Sequence, residues 1–213
     1  MKFKGVIFDL DGVICSTDEY HFLAWKALAD LIGVTDFSRE DNKLQRGVSR
    51  MESLEVVLRK SDKTYTDEQK IALAETKNDI YKNMLEKMSE KDLDGEVLST
   101  LNKLRANGLK LAIGSSSKNT PFILERLGLG LFFDAVADGN CVTKSKPDPE
   151  VFLKAAEYLS LNPEDCLVVE DAVAGVQAGV AGGFKVAGIG EASKYEKTTY
   201  PIASFSDLLK ITK

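Results

Sequence analysis

The chain has 213 residues, enough for one large domain or two modest domains with a full hydrophobic core. Its 28 basic and 33 acidic side chains give a net charge of -5, which argues against the basic face that nucleic acids require. No apolar stretch approaches the roughly 20 residues that span a bilayer, and the start lacks the apolar segment of a signal peptide. Three widely spaced cysteines fit a reduced protein. We therefore expect a cytoplasmic protein that binds neither nucleic acid nor membrane.

The first predicted element is a buried strand that ends in two carboxylates. The apolar run Gly5–Phe8 is followed by Asp9, Leu10, Asp11 and Gly12. Residues two apart in an extended chain point the same way, so both carboxylates would share one space. Two like charges this close are costly unless a cation or a shared proton relieves them. An acidic turn after a strand remains the alternative, whereas the ligand spacing excludes an EF-hand loop.

Residues 15–88 are predicted to form a helical insertion. Apolar residues at helical spacing occur in 20–32 and again in 66–88, and no strand pattern lies between them. An insertion directly after the Asp9 loop would cover that loop as a lid. We expect a helical cap domain at 15–88 and a core domain formed by 1–14 and 89–213.

Strands and helices alternate in the rest of the chain. Strands are predicted at Lys110–Gly114, Ala135–Ala137, 166–169 and Lys185–Gly188. Helices are predicted at 94–107, at 120–127, at 149–159 with Asp148 as the cap, and in the Gly-rich stretch after 175. This alternation predicts an α/β fold with a Rossmann-like parallel sheet covered by helices on both faces. Residues 191–213 show no clear pattern.

Polar side chains follow four of these strands. They are Asp9 and Asp11, the run 115–119, Lys144 with Lys146, and Glu170 with Asp171. Ligands of parallel sheets collect beyond the carboxyl ends of the strands, so these groups are expected to converge. Carboxylates suit Mg²⁺, and a hydroxyl with a lysine suits phosphate oxygens.

This order of motifs resembles the haloacid dehalogenase superfamily of phosphotransferases, over nearly the whole chain. Within the superfamily, the insertion resembles the β-phosphoglucomutase family. The segments that carry this likeness are Tyr-His-Phe-Leu-Ala-Trp-Lys-Ala-Leu at 20–28, Arg-Gly-Val-Ser-Arg at 46–50, Thr-Lys-Asn at 76–78 and Ser-Ser-Ser-Lys-Asn at 115–119.

The resemblance implies a role for each matching residue of the core. Asp9 would be the nucleophile that becomes an aspartyl phosphate, and Asp11 the general acid and base. Ser115 and Lys146 would hold the transferring phosphoryl group. The Mg²⁺ ligands would come from Asp9, the main-chain carbonyl of Asp11, Glu170 and Asp171. Many relatives carry Ser or Thr after this acidic pair, whereas this chain has Ala172.

Residues of the cap, together with the 117–119 segment of the core, would recognise the substrate. Arg50, Ser117, Lys118 and Asn119 resemble a clamp for the second phosphate, His21 would support Asp11 and the hinge, and Thr17, Trp25, Gly47, Val48, Ser49, Ser53 and Lys77 would complete the substrate site. Structural alternatives remain for several of them. Arg50 would then be a solvated charge at a helix end, Lys118 and Asn119 a polar helix start, and Lys77 a lysine at the edge of an apolar stripe. Trp25 would then pack within the cap.

The implied activity is the interconversion of β-D-glucose 1-phosphate and glucose 6-phosphate through a sugar bisphosphate. Sugar phosphates would be the small-molecule partners, Mg²⁺ the cofactor, and the protein a monomer. A sugar-phosphate phosphatase on the same fold is the main alternative. A phospho-aspartate receiver domain is a poorer fit, because it has neither a helical lid nor an acid/base two residues after its nucleophile.

Overall fold

The computed structural model describes residues 2–45 and 48–213, and its centre is one parallel sheet. The strands are β1 (Gly5–Phe8), β2 (Lys110–Gly114), β3 (Ala135–Ala137), β4 (Cys166–Glu170), β5 (Lys185–Gly188) and β6 (Tyr200–Pro201). Their order across the sheet is β3-β2-β1-β4-β5-β6. The predicted parallel-sheet architecture is confirmed, and β6 adds an edge strand that the sequence did not reveal.

The central strand β1 fixes where Asp9 emerges. β1 pairs with β2 on one side and β4 on the other, with Phe8 opposite Ile113 and Val169. All four of its residues are buried, as expected for a parallel strand covered on both faces. The backbone N–H of Asp9 donates to the Val169 carbonyl at 2.9 Å. Asp9 therefore leaves the sheet between the loops that follow β2 and β4.

In the described part of the chain, four α-helices follow the Asp9 loop before the helix Gly95–Ala106 begins the rest of the core. They are α1 (Asp18–Ile32), α2 (Arg39–Lys43), α3 (Arg50–Leu58) and α4 (Asp67–Leu85). The helices expected at 20–32 and 66–88 are thus present, while α2 and α3 were not resolved individually from the sequence. Apolar side chains of α1, α3 and α4 pack into a cluster of their own, which includes Trp25, Leu28, Leu54, Val57 and Ala74. This cluster supports a separately packed cap, with the domain limits themselves remaining a prediction.

Among residues 89–213, which are all described, five α-helices complete the core. They are α5 (Gly95–Ala106), α6 (Thr120–Arg126), α7 (Glu150–Leu159), α8 (Val173–Ala181) and α9 (Leu208–Ile211). Two apolar clusters form around the sheet, one including Phe8, Leu101 and Leu124 and the other including Ile7, Phe152 and Val168. Successive residues of β1 thus pack into different clusters. Across residues 2–45 and 48–213, no helix has the length and apolar character needed to cross a membrane.

Candidate active site

A buried lysine and two carboxylates form the floor of the site. Lys146 Nζ donates to Asp9 Oδ1 at 2.6 Å and to Glu170 Oε1 at 2.7 Å. Lys146 and Glu170 are each only 1% exposed. Burial alone would lower the pKa of Lys146, but the charges of Asp9 and Glu170 outweigh it and raise that pKa above its ordinary value. Lys146 is therefore a permanent cation beside Asp9.

Two glycines leave room for the acidic residues at the end of β4, Glu170 and Asp171. A Cβ on Gly12, whose φ is +80°, would lie 2.1 Å from Asp171 Oδ2. A Cβ on Gly175 would lie 1.8 Å from Glu170 Oε1. Glu170 is held further by the backbone N–H groups of Asp171 and Ala172, which donate to Oε2 at 2.8 and 2.9 Å. The backbone thus orients Glu170 without a side-chain hydroxyl at position 172.

The carboxylates of Asp9, Glu170 and Asp171 form a site that fits a divalent cation. One oxygen from each lies within 4.8 Å of the others. Burial first, and then the charges of Glu170 and Asp9, raise the pKa of Asp171 to about 8. Crowded, partly buried oxygen donors of this kind suit Mg²⁺. Both oxygens of Glu170 already accept hydrogen bonds, so the carboxylates of Asp9 and Asp171 are more available as metal ligands. The expected main-chain ligand at Asp11 stays a prediction.

Asp11 has a pKa close to neutrality. Burial, followed by the charge of Asp9, raises the pKa of Asp11 to about 7. The hydroxyl of Thr17 donates to Asp11 Oδ1 and fixes the carboxyl. A carboxyl with this pKa can hold a proton or accept one at neutral pH, as a general acid and base must.

The loop after β2 contributes the predicted phosphate ligands. Ser115 is 1% exposed, and its Oγ accepts from the backbone N–H of Ser117 at 3.1 Å. Ser117 Oγ accepts in turn from the backbone N–H of Asn119 at 3.2 Å. Asn119 Nδ2 donates to Asn78 Oδ1 on α4 at 2.9 Å. The loop is thus ordered by its own hydroxyl groups and contacts the cap directly.

The cap presents a second buried lysine, Lys77, which is 3% exposed. Its Nζ lies 2.9 Å from His21 Nδ1, 4.7 Å from the Trp25 ring centroid and 4.4 Å from that of Tyr81. Burial, then the charge of Arg50, lowers the pKa of Lys77 well below its ordinary value. Burial, then the charge of Lys77, lowers the pKa of His21 as well. A neutral His21 therefore accepts from Lys77, and its expected support of Asp11 stays a prediction.

A cavity of about 760 Å³ lies between the cap and the sheet. Of the predicted site residues, its walls include Asp9, Asp11, Thr17, His21, Trp25, Val48, Ser49, Arg50, Ser53, Lys77, Ser115, Ser117, Lys118, Asn119 and Asp171. Lys146 and Glu170 lie behind this wall: Lys146 donates hydrogen bonds to both Asp9 and Glu170. Gly47 lies outside the described residues. The structure therefore brings the cap and core predictions together around one space.

Sequence reasoning missed several polar groups near this cavity. Asn42 and Gln45 line it from the cap, and Gln45 Nε2 donates to the Ser53 carbonyl at 2.8 Å. Ser145 Oγ donates to Glu52 across the two parts of the chain. Glu52 was readable only as the last member of a helix-capping pattern that begins at Ser49. Its contact with a residue 93 positions away had no signal in the sequence.

Comparisons with known proteins agree with this geometry. A β-phosphoglucomutase of Bacillus subtilis is 40% identical over 207 residues, covering 96% of this chain and 91% of its own. A phosphorylated carbohydrates phosphatase of Thermotoga maritima is 29% identical and covers 85% of this chain and 82% of its own. A crystal structure of a Clostridium difficile β-phosphoglucomutase, 34% identical, superposes with a TM-score of 0.92 and covers 99% of this chain and 96% of its own.

A family model described as haloacid dehalogenase-like hydrolase matches residues 3–183. That range contains every residue of the acidic cluster, both buried lysines and all four helices that follow the Asp9 loop. The expected superfamily is thus confirmed: the chain belongs to the haloacid dehalogenase-like hydrolase family.

Proposed function

We propose that this protein is a β-phosphoglucomutase that interconverts β-D-glucose 1-phosphate and glucose 6-phosphate through an aspartyl phosphate and a sugar bisphosphate. The observation that carries the proposal is the two-sided cavity. Asp9 and Asp11 line it from the core, while Arg50 and Lys77 line it from the cap. Its volume of about 760 Å³ falls within the range of small-molecule sites. A bisphosphate could therefore meet the nucleophile at one end and a basic group at the other.

Phosphoryl transfer would begin at Asp9. A carboxylate oxygen of Asp9 forms a bond to phosphorus while the bond from phosphorus to the sugar oxygen breaks. Asp11, with a pKa of about 7, donates its proton to the departing sugar oxygen. In the second transfer a sugar hydroxyl attacks the phosphorus, the bond from Asp9 to phosphorus breaks, and Asp11 accepts the hydroxyl proton. Lys146, bonded to Asp9 at 2.6 Å, offsets the negative charge that otherwise repels an anionic phosphate.

Magnesium is proposed as the cofactor of this isomerase, with Asp9 and Asp171 as its principal side-chain ligands. When bound, the ion would supply positive charge beside the transferring phosphoryl group. The expected ligation by Glu170 is better described as support. Its two oxygens accept from Lys146 and from the backbone, so Glu170 orients both Lys146 and the Asp171 loop.

The distal phosphate would lie between Arg50 on the cap and the 117–119 loop on the core. Arg50 is half-buried, and burial lowers its pKa although Asp79 and Glu75 oppose the effect. An arriving phosphate would compensate this desolvated guanidinium with paired hydrogen bonds. A sugar-phosphate phosphatase does not require such a second site. The Thermotoga maritima relative keeps that alternative open to test.

A single pair of assays tests the proposal. β-D-glucose 1-phosphate is supplied with Mg²⁺ and a trace of glucose 1,6-bisphosphate, and formation of glucose 6-phosphate is followed beside release of inorganic phosphate. We expect glucose 6-phosphate to form much faster than inorganic phosphate is released. Stoichiometric phosphate release without glucose 6-phosphate would establish the phosphatase instead.

A further inference from the structure

A hydrogen bond joins the cap to the core beside Lys146, the lysine proposed to neutralise the phosphate. Ser145 Oγ donates to Glu52 Oε2 at 2.6 Å, although the two residues are 93 positions apart. Glu52 lies in the first turn of α3, and Ser145 lies in the loop between β3 and α7, next to Lys146. The contact therefore connects two segments that meet only when the cap lies over the sheet.

Each partner in this bond is fixed to a functional segment. Glu52 Oε2 also accepts from the backbone N–H of Ser49 at 2.8 Å, so its carboxylate caps the helix whose first residue is Arg50. The carbonyl of Ser145 accepts from the backbone N–H of Asp148 at 3.0 Å, which closes the turn that contains Lys146. One bond thus links the helix that carries Arg50 to the turn that carries Lys146.

The bond is assisted by charge. Partial burial alone would raise the pKa of Glu52, but the hydrogen bonds from Ser145 and Ser49 lower it below its ordinary value. Glu52 is therefore an anion at neutral pH, and a hydroxyl that donates to a carboxylate makes a stronger bond than one between neutral groups.

We propose that Glu52 and Ser145 form a latch that holds the cap closed over a bound sugar phosphate, and that both are positioning residues, which hold the helix that begins with Arg50 against the core. The proposal rests on the proposed function for the identity of the ligand. A sugar phosphate needs both walls of the cavity, so it binds productively only with the cap closed. Acetyl phosphate needs only the core residues around Asp9, so its reaction does not require the latch.

The experiment compares Ser145→Ala and Ser145→Thr with the wild-type protein. Both kcat and KM are measured for the sugar phosphate, and acetyl phosphate hydrolysis is measured on the same preparations. Ser145→Ala should raise KM for the sugar phosphate by about tenfold, the effect of losing one hydrogen bond to a charged group, with a smaller change in kcat. Ser145→Thr keeps the hydroxyl and should restore the wild-type KM. Acetyl phosphate hydrolysis should be unchanged in both variants.

Glu52→Ala provides the reciprocal test, with Gln69→Ala as its matched control. Gln69 makes the equivalent capping contact in α4, where its Oε1 accepts from the backbone N–H of Thr66 at 2.9 Å. Both variants lose a helix cap, but only Glu52→Ala loses a bond to the core. Glu52→Ala should therefore raise KM as Ser145→Ala does, while Gln69→Ala should leave it unchanged.

Two results overturn the latch. A wild-type KM in Ser145→Ala would show that the bond does not stabilise the closed state. An equal loss of the sugar-phosphate and acetyl phosphate activities would place the effect on Lys146 itself and not on cap closure. If the wild-type protein only hydrolyses sugar phosphates, the proposed mutase function fails, but the KM comparison still decides the latch with that hydrolysis as the assay.

Discussion

The cavity has a buried lysine on each side, Lys77 in its cap wall and Lys146 beneath Asp9 in the core, and the two lysines have opposite environments. Lys146 in the core bonds two carboxylates, and the charges of Asp9 and Glu170 raise its pKa despite burial. Lys77 in the cap meets the neutral His21 and the faces of Trp25 and Tyr81, and burial lowers its pKa. Equal burial therefore produces a permanent cation on one side and a weakly held proton on the other.

This difference indicates a division of labour between the two sides. In the core, Lys146 is already paired with Asp9 and Glu170, so these groups hold their arrangement before a ligand arrives. In the cap, burial disfavours both Arg50 and Lys77 as cations, and the charge of Arg50 adds to this cost at Lys77. An anionic ligand would relieve that cost. The core is thus suited to the proposed chemistry, and the cap is suited to recognition.

The largest expected effect is on the core side, in Asp9→Asn. The amide is a poor nucleophile of nearly the same shape, so mutase turnover and acetyl phosphate hydrolysis should both be abolished. Both rates are measured on protein whose thermal unfolding is compared with wild type. Retained turnover in a folded variant would remove Asp9 from the role of nucleophile.

Asp11→Asn should have the next largest effect. Loss of proton transfer at this position should lower mutase turnover by about 10²- to 10⁴-fold, the usual contribution of general acid–base catalysis. The measurement is steady-state turnover of β-D-glucose 1-phosphate, with thermal unfolding as the control for folding. A rate close to that of wild type would show that Asp11 does not carry the proton.

Replacing each lysine by methionine compares the two sides directly. Lys146→Met leaves Asp9 and Glu170 buried without their cation, and we expect it to lower the free energy of unfolding by about 3–5 kcal/mol. Lys77→Met removes an amino group that lies against His21 and the rings of Trp25 and Tyr81, and should change that free energy by less than about 1 kcal/mol. Urea unfolding at neutral pH measures both. Equal losses would contradict the contrast between the two environments.

The smallest expected effect is a pH dependence at Lys77. Its pKa is lowered in the folded protein, so the unfolded chain binds more protons between that value and the ordinary value of 10.5. The free energy of unfolding contributed by Lys77 therefore rises with pH in this window. Wild type should gain stability relative to Lys77→Met as the pH rises from neutrality towards 10.5. A constant difference over that range would show that Lys77 is held as a charged group.

The sequence predicted the core side more completely than the cap side, for physical reasons. Buried parallel strands are apolar runs of a recognisable length, and their polar neighbours at the carboxyl ends converge by topology alone, which located Asp9, Ser115, Lys146 and Asp171. Lys77 was indicated by its place in an apolar stripe and by the family resemblance of residues 76–78. The edge strand β6 has two residues, too few to produce a pattern.

Contacts between distant segments had no local signature at all. The bond from Ser145 to Glu52 and the bond from Asn119 to Asn78 depend on how the cap packs on the sheet. Asn78 lay within a segment that resembled the β-phosphoglucomutase family, but its partner could not be inferred from that likeness. The strand-end topology and the family resemblance therefore predicted residues that the structure brings around one cavity, whereas the pairings between the two walls required the structure.

Arg50→Ala provides the most direct test of the division between cap and core. Arg50 lies on the cap wall of the cavity that Asp9 lines from the core. Losing its hydrogen bonds to a distal phosphate should cost roughly 1.5–3 kcal/mol in binding, or about 10- to 100-fold in kcat/KM for the sugar phosphate. Acetyl phosphate carries no second phosphate, so its hydrolysis should fall far less. The measurement is both activities on one preparation of the variant and of wild type. Equal losses in the two activities, or no loss in either, would contradict the account and favour the phosphatase.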